Sequence, residues 1–349
     1  MSLWVDKYRP TSFDGLDFNL ESSDVLKRLT SNNDFPHLLF HGPDGAGKET
    51  RVRCALRHIY GDGALQLKAT QLSYDTPSKK GLTISALDSK FHIEIRPSDV
   101  GIHDRIVVQN VIKDTAKQFL SVSDKPFKVV VVHEADRLSF DAQSALRRTM
   151  EKHSSRCKIF LVCMHIHKMI EPLVSRCVPI RLSSPSKEEL TQLVKNVAQK
   201  ECFTVTDNFI HSLIETTNYN VRTTLLALEA TVDKGGKNYL YDNCRIVLPD
   251  WRAAIIDIAN RLLDKRRVED VQAVRSRFYD LINALIPLDI IFEQLSIEMS
   301  KKLVSVEEKL ILYDSAAKFQ HMSISGDKPL LYLEAFVLDV LSKLSKTSN

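Results

Sequence analysis

The sequence predicts an α/β layer domain followed by two all-helical regions, and three observations predict it. Up to residue 182, short apolar runs alternate with stretches of helical periodicity. A glycine-rich turn joins one of those runs to a helical stretch. From residue 183 the strand-like runs stop and helical spacing takes over. A chain of 349 residues, 44% of them hydrophobic, is long and apolar enough for two or three separate cores and excludes a disordered tail protein.

The expected strands are Leu38 to Phe40, Phe91 to Ile95, Val129 to Val132, Ile159 to Cys163 and Val178 to Leu182. Val129 to Val132 is apolar on both faces, as a central strand covered by helices on both sides must be. A small helical domain, residues 183–246, begins with a capping box of Ser186 and Glu189, after which Leu190, Leu193, Val194, Val197 and Ala198 follow helical spacing. Lys234, Gly235, Gly236, Lys237 and Asn238 mark a second break. Residues 247–349 read as helices, all of them after Pro249, and Leu333, Phe336, Val337, Val340, Leu341 and Leu344 form one apolar stripe that faces its own core or a partner subunit.

A net charge of +4 is too weak to argue nucleic-acid binding by composition, so any basic patch must be local. Six Cys without a CxxC pair fit buried thiols in a reducing compartment, cytosol or nucleus, better than a disulfide framework. The N-terminus lacks the apolar core of a signal peptide, and no uncharged run approaches the roughly 18 residues of a membrane span; a soluble, non-secreted protein without membrane partners is expected.

Gly42, Pro43, Asp44, Gly45, Ala46, Gly47, Lys48, Glu49 and Thr50 stand between a strand and a helix. In that context the glycines let backbone N–H groups surround a phosphate, the helix N-terminus adds favourable potential, and Lys48 reaches the outer phosphates. The metal's place is defective. A P-loop needs Ser or Thr after the Lys to ligate Mg²⁺, and here Glu49 follows; Thr50 points about 100° away around the helix. The run Val129 to Val132 enters His133 and Glu134, the shape of a Walker B strand whose first acid, the Mg²⁺ holder, is replaced by His133 while the base Glu134 is kept. No metal is therefore expected here, Mg²⁺ included, and Glu134 is expected to be vestigial.

With these residues the chain resembles the replication factor C small subunits, AAA+ clamp-loader ATPases, over nearly its whole length. Trp4, Val5, Asp6, Lys7, Tyr8, Arg9, Pro10 resembles the family's adenine-wrapping N-terminal box, so Val5, Tyr8, Arg9 and Pro10 are implied nucleotide contacts beside the P-loop. Pro36, His37, Leu38, Leu39 leading into the P-loop, the segment from Ala142 to Glu151, the Ser175, Arg176, Cys177 motif, and Arg222 in the place of the sensor-2 arginine complete the match. Where the family carries a sensor-1 Asn, this chain has Met164. The combination is similar to the small subunit that ends the ring with a degenerate site of its own. The resemblance implies an AAA+ domain over 1–182, a helical lid over 183–246, and a helical oligomerising collar over 247–349. It also implies ATP or ADP as ligand, a heteropentamer with other replication factor C subunits, a sliding clamp and primer-template DNA as partners, and a role in nuclear DNA replication and repair. Arg176 would act in trans on a neighbour's site.

Ser98, Asp99, Val100, Gly101 resembles the family's turn before a helix that points into the central channel, where Arg105 can grip the DNA backbone; the alternative is an Arg paired with Asp104 or Asp99. Arg147 and Arg148 couple subunits or form a solvated helix face. Phe119 and Leu120, closing a helical stretch from Ile106, face the clamp or belong to the core. Cys157, Cys163, His165 and His167 match no zinc spacing. The competing functional classes are an active AAA+ motor or helicase loader, against which Glu49 and His133 argue, and a nucleotide-free scaffold, against which Gly42, Gly45, Gly47 and Lys48 argue. Whether the chain is itself an enzyme is left open.

Overall fold

In a computed structural model, residues 2–32, 34–75, 81–117, 125–235, 246–265, 268–324, 326 and 328–347 are described. They form two compact units, Met1–Ile246 and Val247–Asn349.

The first unit opens with α1 (Trp4–Lys7) and α2 (Leu20–Ser31), then β1 (His37–His41) and α3 (Lys48–Tyr60). A hairpin of β2 (Lys68–Asp75) and β3 (Gly81–Asp88) leads to β4 (His92–Ile95) and α4 (Asp104–Lys117). Then come β5 (Lys128–Val132), α5 (Phe140–His153), β6 (Cys157–Cys163), α6 (Glu171–Val174) and β7 (Cys177–Arg181). The sheet order is β2-β3-β4-β5-β6-β1-β7, with β4 through β7 parallel and the β2, β3 and β4 pairings antiparallel. Five of these strands occupy the expected runs, with ends shifted by one or two residues.

The hairpin is the departure. β2 and β3 carry Lys68, Thr70, Gln71, Ser73, Thr83 and Ser85 among their apolar residues, because an edge pair covered on one face needs only alternate apolar positions. Leu82, Ile84 and Ala86 alternate and were the available signal.

β5 is buried along its apolar length, and its side chains divide between two cores. Val130 and Val132 join Leu39, Ile159 and Leu161 under α4 and α5; Val129 and Val131 join Leu38, Phe40 and Phe160 under α2 and α3. Two helix layers thus sandwich the sheet and leave the C-terminal ends of the parallel strands to the loops that carry chemistry.

α7 (Lys187–Lys200), α8 (Asp207–Thr216) and α9 (Val221–Gly235) follow. The capping box is formed: Ser186 Oγ accepts from Glu189 N at 3.2 Å, and Ser186 N donates to Glu189 Oε2 at 2.7 Å. The five apolar residues of α7 are all buried. Of the expected second break, Lys234 and Gly235 still belong to α9, and Gly236, Lys237 and Asn238 lie outside the described residues.

The second unit contains α10 (Asp250–Lys265), α11 (Val268–Asn283), α12 (Leu288–Lys302), α13 (Val306–Ile324) and α14 (Pro329–Thr347). The α14 stripe faces this unit's own core, where Phe336 packs edge-on to Phe292 with centroids 5.4 Å apart. No described helix is long and apolar enough to cross a membrane.

Candidate functional site

The turn from β1 into α3 is built on close approaches. Gly42 and Gly45 have φ of +150° and +73°, and a Cβ on either would lie 2.0 Å from an oxygen, Leu182 O or Asn220 Oδ1. Lys48 Nζ donates to the carbonyls of Gly42 and Pro43, both at 2.7 Å, and burial pulls its pKa down. The Ala46 side chain is buried in the core under α3, so only its backbone faces the loop.

Arg51, one turn along α3, braces the loop from behind and was missed by sequence reasoning, since no local pattern marks a long-range brace. It is fully buried, donates to the carbonyls of Ala46 (3.2 Å), Gly47 (3.3 Å) and Phe18 and to Ser23 Oγ (3.3 Å), and lies 4.8 Å over the Phe18 ring. Burial lowers its pKa to about 10.

Glu49 occupies the metal hydroxyl's place and is held from two sides: Oε1 lies 3.6 Å from Arg96 Nη2, and Oε2 lies 3.6 Å from Arg222 Nη2. Arg222 also approaches Asp44 at 3.8 Å, and Asn220 Nδ2 donates to Asp44 Oδ2 at 3.5 Å. Asn220 caps α9 by accepting from Arg222 N and Thr223 N. The start of α9 therefore sits on the P-loop. Thr50 is half-buried on α3.

His133 completes a buried cluster. Its Nε2 lies 3.0 Å from Glu94 Oε2, and His92 Nε2 lies 3.5 Å from Glu94 Oε1. Burial pushes the Glu94 carboxyl up, but the hydrogen bond with His133 and the nearby His92 ring outweigh it and hold it well below the usual range. The phosphate cradle fits a nucleotide; the donor set does not fit Mg²⁺, because the Glu49 carboxylate is engaged by two arginines and His133 is tied to Glu94.

Glu134 has φ of +52°, pairs with Arg137 at 3.3 Å and accepts from Ser98 Oγ at 3.4 Å. Met164 is exposed, and its N–H and that of His165 donate to Asp136 Oδ2 at 3.3 and 3.1 Å.

The N-terminal box packs on the α7 to α9 helices. Trp4 stacks on Phe203 at 5.6 Å and its backbone N–H donates to Glu229 Oε2 at 3.0 Å, while Tyr8 Oη and Lys7 Nζ both donate to Glu201 at 2.6 Å. Val5 and Tyr8 lie against the same core. Arg9 pairs with Asp6 at 3.4 Å, and the Pro10 carbonyl accepts from Cys54 Sγ at 3.7 Å, which places the box beside α3.

Arg176 stands just before β7, where Nε donates to Glu151 and Nη1 to the Pro172 carbonyl at 2.6 Å. Arg105 is exposed, and among the described residues it makes no ion pair. The pairing with Asp104 is ruled out because that carboxylate is buried, accepting from Ser139 N at 2.7 Å, Ser139 Oγ at 2.9 Å and the Arg105 backbone N–H at 2.6 Å. A 3₁₀ turn, Pro97–His103, runs directly into α4, and Asp104 takes up the Arg105 amide. Arg148 is exposed and Arg147 half-buried. Phe119 and Leu120 lie outside the described residues. Cys157 and Cys163 are buried, with thiols pushed up to about 12, while the His165 and His167 rings are exposed.

Two family models match: "Replication factor C subunit 3, C-terminal domain" over residues 251–348 and "DNA polymerase III, delta subunit" over residues 19–186. The chain is 38% identical over 347 residues to a probable replication factor C subunit 3 of Dictyostelium discoideum, covering 99% of both chains. It is 38% identical to replication factor C subunit 3 of Homo sapiens (99% and 97% covered) and to replication factor C subunit 5 of Schizosaccharomyces pombe (96% and 94%). A DNA polymerase III gamma subunit-related protein of Thermotoga maritima shares the fold at 14% identity, with a TM-score of 0.51 over 92% of this chain and 99% of that one. A P-loop sandwich, a helical C-terminal unit and full-length relatives agree, and the chain belongs to the replication factor C clamp-loader family for DNA replication, among the small subunits numbered three or five.

Proposed function

We propose that this subunit binds ATP or ADP in its own site without turning it over and lends Arg176 to a neighbouring subunit's site. The observation that carries this reading is the fate of the two metal positions: Glu49 is held between Arg96 and Arg222, and His133 is tied to Glu94, while the glycine cradle and Lys48 stand ready for phosphate. The chain's own residues can bind and orient a nucleotide: Val5, Tyr8, Arg9 and Pro10 beside α3, Lys48 and Arg222 at the phosphates. Water activation lacks support, since Glu134 is drawn toward Arg137 and Met164 offers no hydrogen bond to a water.

In the same reading the subunit joins a heteropentamer with other replication factor C subunits, which opens a ring-shaped clamp and places it on primer-template DNA in the nucleus during replication and repair. Arg105 would touch the DNA backbone. Arg176 is poised for a trans role because its tie to Glu151 is a half-exposed ion pair, worth under about 1 kcal/mol, so a phosphoryl oxygen can replace that carboxylate cheaply. A trans arginine contributes about 10³ to 10⁵ in rate.

The test is to assemble the pentamer with Arg176→Ala and measure DNA- and clamp-stimulated ATP hydrolysis beside assembly. Normal assembly with turnover lost at one site is expected. Unchanged turnover at every site refutes the role.

A further inference from the structure

We propose that Arg96 and Arg222 grip a nucleotide's outer phosphates between them without a divalent cation, and that Glu49 is the displaceable anion keeping that place when no phosphate is bound. This deepens the nucleotide-binding reading and rests on it; Arg96 has no role in that reading.

The geometry points there because one guanidinium approaches each oxygen of the Glu49 carboxylate, both at 3.6 Å. Two arginines bridging one anion directly beside the P-loop Lys are arranged for oxygens there. The pairs are weak ones: 3.6 Å exceeds the roughly 2.7–2.9 Å of a charge-assisted hydrogen bond. Arg96 is 53% exposed and Arg222 45%, so each contact is worth under about 1 kcal/mol. A polyphosphate carries more charge than a carboxylate and accepts from both forks at once, so it wins the exchange.

The surroundings hold further cations that a polyphosphate can pair with. Arg53 and Arg96 line a cleft of about 320 Å³ together with Glu49, Glu94, Asp99 and His133. Arg9 stands close enough to Arg53 and Arg222 to feel their charge. Lys48, Arg9, Arg53, Arg96 and Arg222 thus gather around the loop with Asp44, Glu49, Glu94 and Asp99 among them, and displacing Glu49 frees Arg96 and Arg222 to meet a polyanion.

The experiment is calorimetric titration of the full chain with ATP, in Mg²⁺ and in EDTA. Wild type is expected to bind equally well in both. In EDTA, Arg96→Ala should weaken binding by about tenfold or more, as loss of a charged hydrogen bond does. Glu49→Gln should tighten it by up to about fivefold by removing the competing anion. An Arg96→Ala affinity equal to wild type, a Glu49→Gln affinity weaker than wild type, or a requirement for Mg²⁺ overturns the inference while leaving nucleotide binding intact. Failure of that underlying reading looks different: wild type and Lys48→Ala then show the same absence of heat, and the inference falls with it.

Discussion

Restoring the missing Walker B acid with His133→Asp will destabilise the chain, because the position is wired to a buried carboxylate. Glu94 is 6% exposed, and its Oε2 takes a 3.0 Å contact from His133 Nε2. Aspartate there removes the donor and adds a second anion to the same pocket, so one of the two carboxyls must stay protonated. Breaking a buried pair in this way costs about 3–5 kcal/mol. At roughly 2–4 °C per kcal/mol for a unit of this size, the melting temperature should fall by about 6–20 °C. Glu94→Gln alone removes a hydrogen bond to a charged group and costs about 1.5–3 kcal/mol. The two together relieve the like-charge clash, so the double variant should lose at least about 1 kcal/mol less than the sum. The sign with pH follows from Glu94 being held below its ordinary range: its contribution is present above about pH 4.3 and is lost as pH falls below that, so wild type and Glu94→Gln converge in acid. Urea unfolding of the four proteins at neutral pH and near pH 3 measures both effects. Strict additivity, or a Glu94→Gln deficit that grows in acid, refutes the reasoning.

Arg51→Lys keeps the charge but cannot reach three carbonyls and a hydroxyl from one ammonium; a loss of about 2–4 kcal/mol and weaker nucleotide binding are expected in unfolding and titration experiments. Ser186→Ala removes half of the capping box and should cost about 1 kcal/mol in urea unfolding, with no change in nucleotide affinity. Arg105→Ala in the assembled complex should weaken DNA binding alike for all sequences and lower the salt slope by about one unit; an unchanged slope would leave Arg105 a surface residue.

The sequence by itself determined the sandwich and the P-loop, because both are local. Val129 to Val132 must lie between two layers, Ser186 and Glu189 cap each other three residues apart, and glycines at this spacing before a Lys, between strand and helix, mark a phosphate loop. It also showed Glu, His and Met at residues 49, 133 and 164, where the resemblance leads one to expect a hydroxyl, an acid and an amide, since such a difference can be read from one letter. Tertiary structure alone decided what replaced them. Glu49 meets Arg96 and Arg222 across 47 and 173 positions of sequence, His133 meets Glu94 across a strand pair, and Arg51 reaches back to Phe18. No periodicity encodes those meetings, because a side-chain ion pair depends on which strand lies beside which. The β2–β3 hairpin was hidden for a related reason: an edge pair needs apolar residues on one face only, and its register comes from its neighbours. Arg105 shows the same limit in reverse, for the sequence left both a DNA-backbone contact and a pairing with Asp104 or Asp99 open, and only the fold turned the Asp104 carboxylate inward to Ser139.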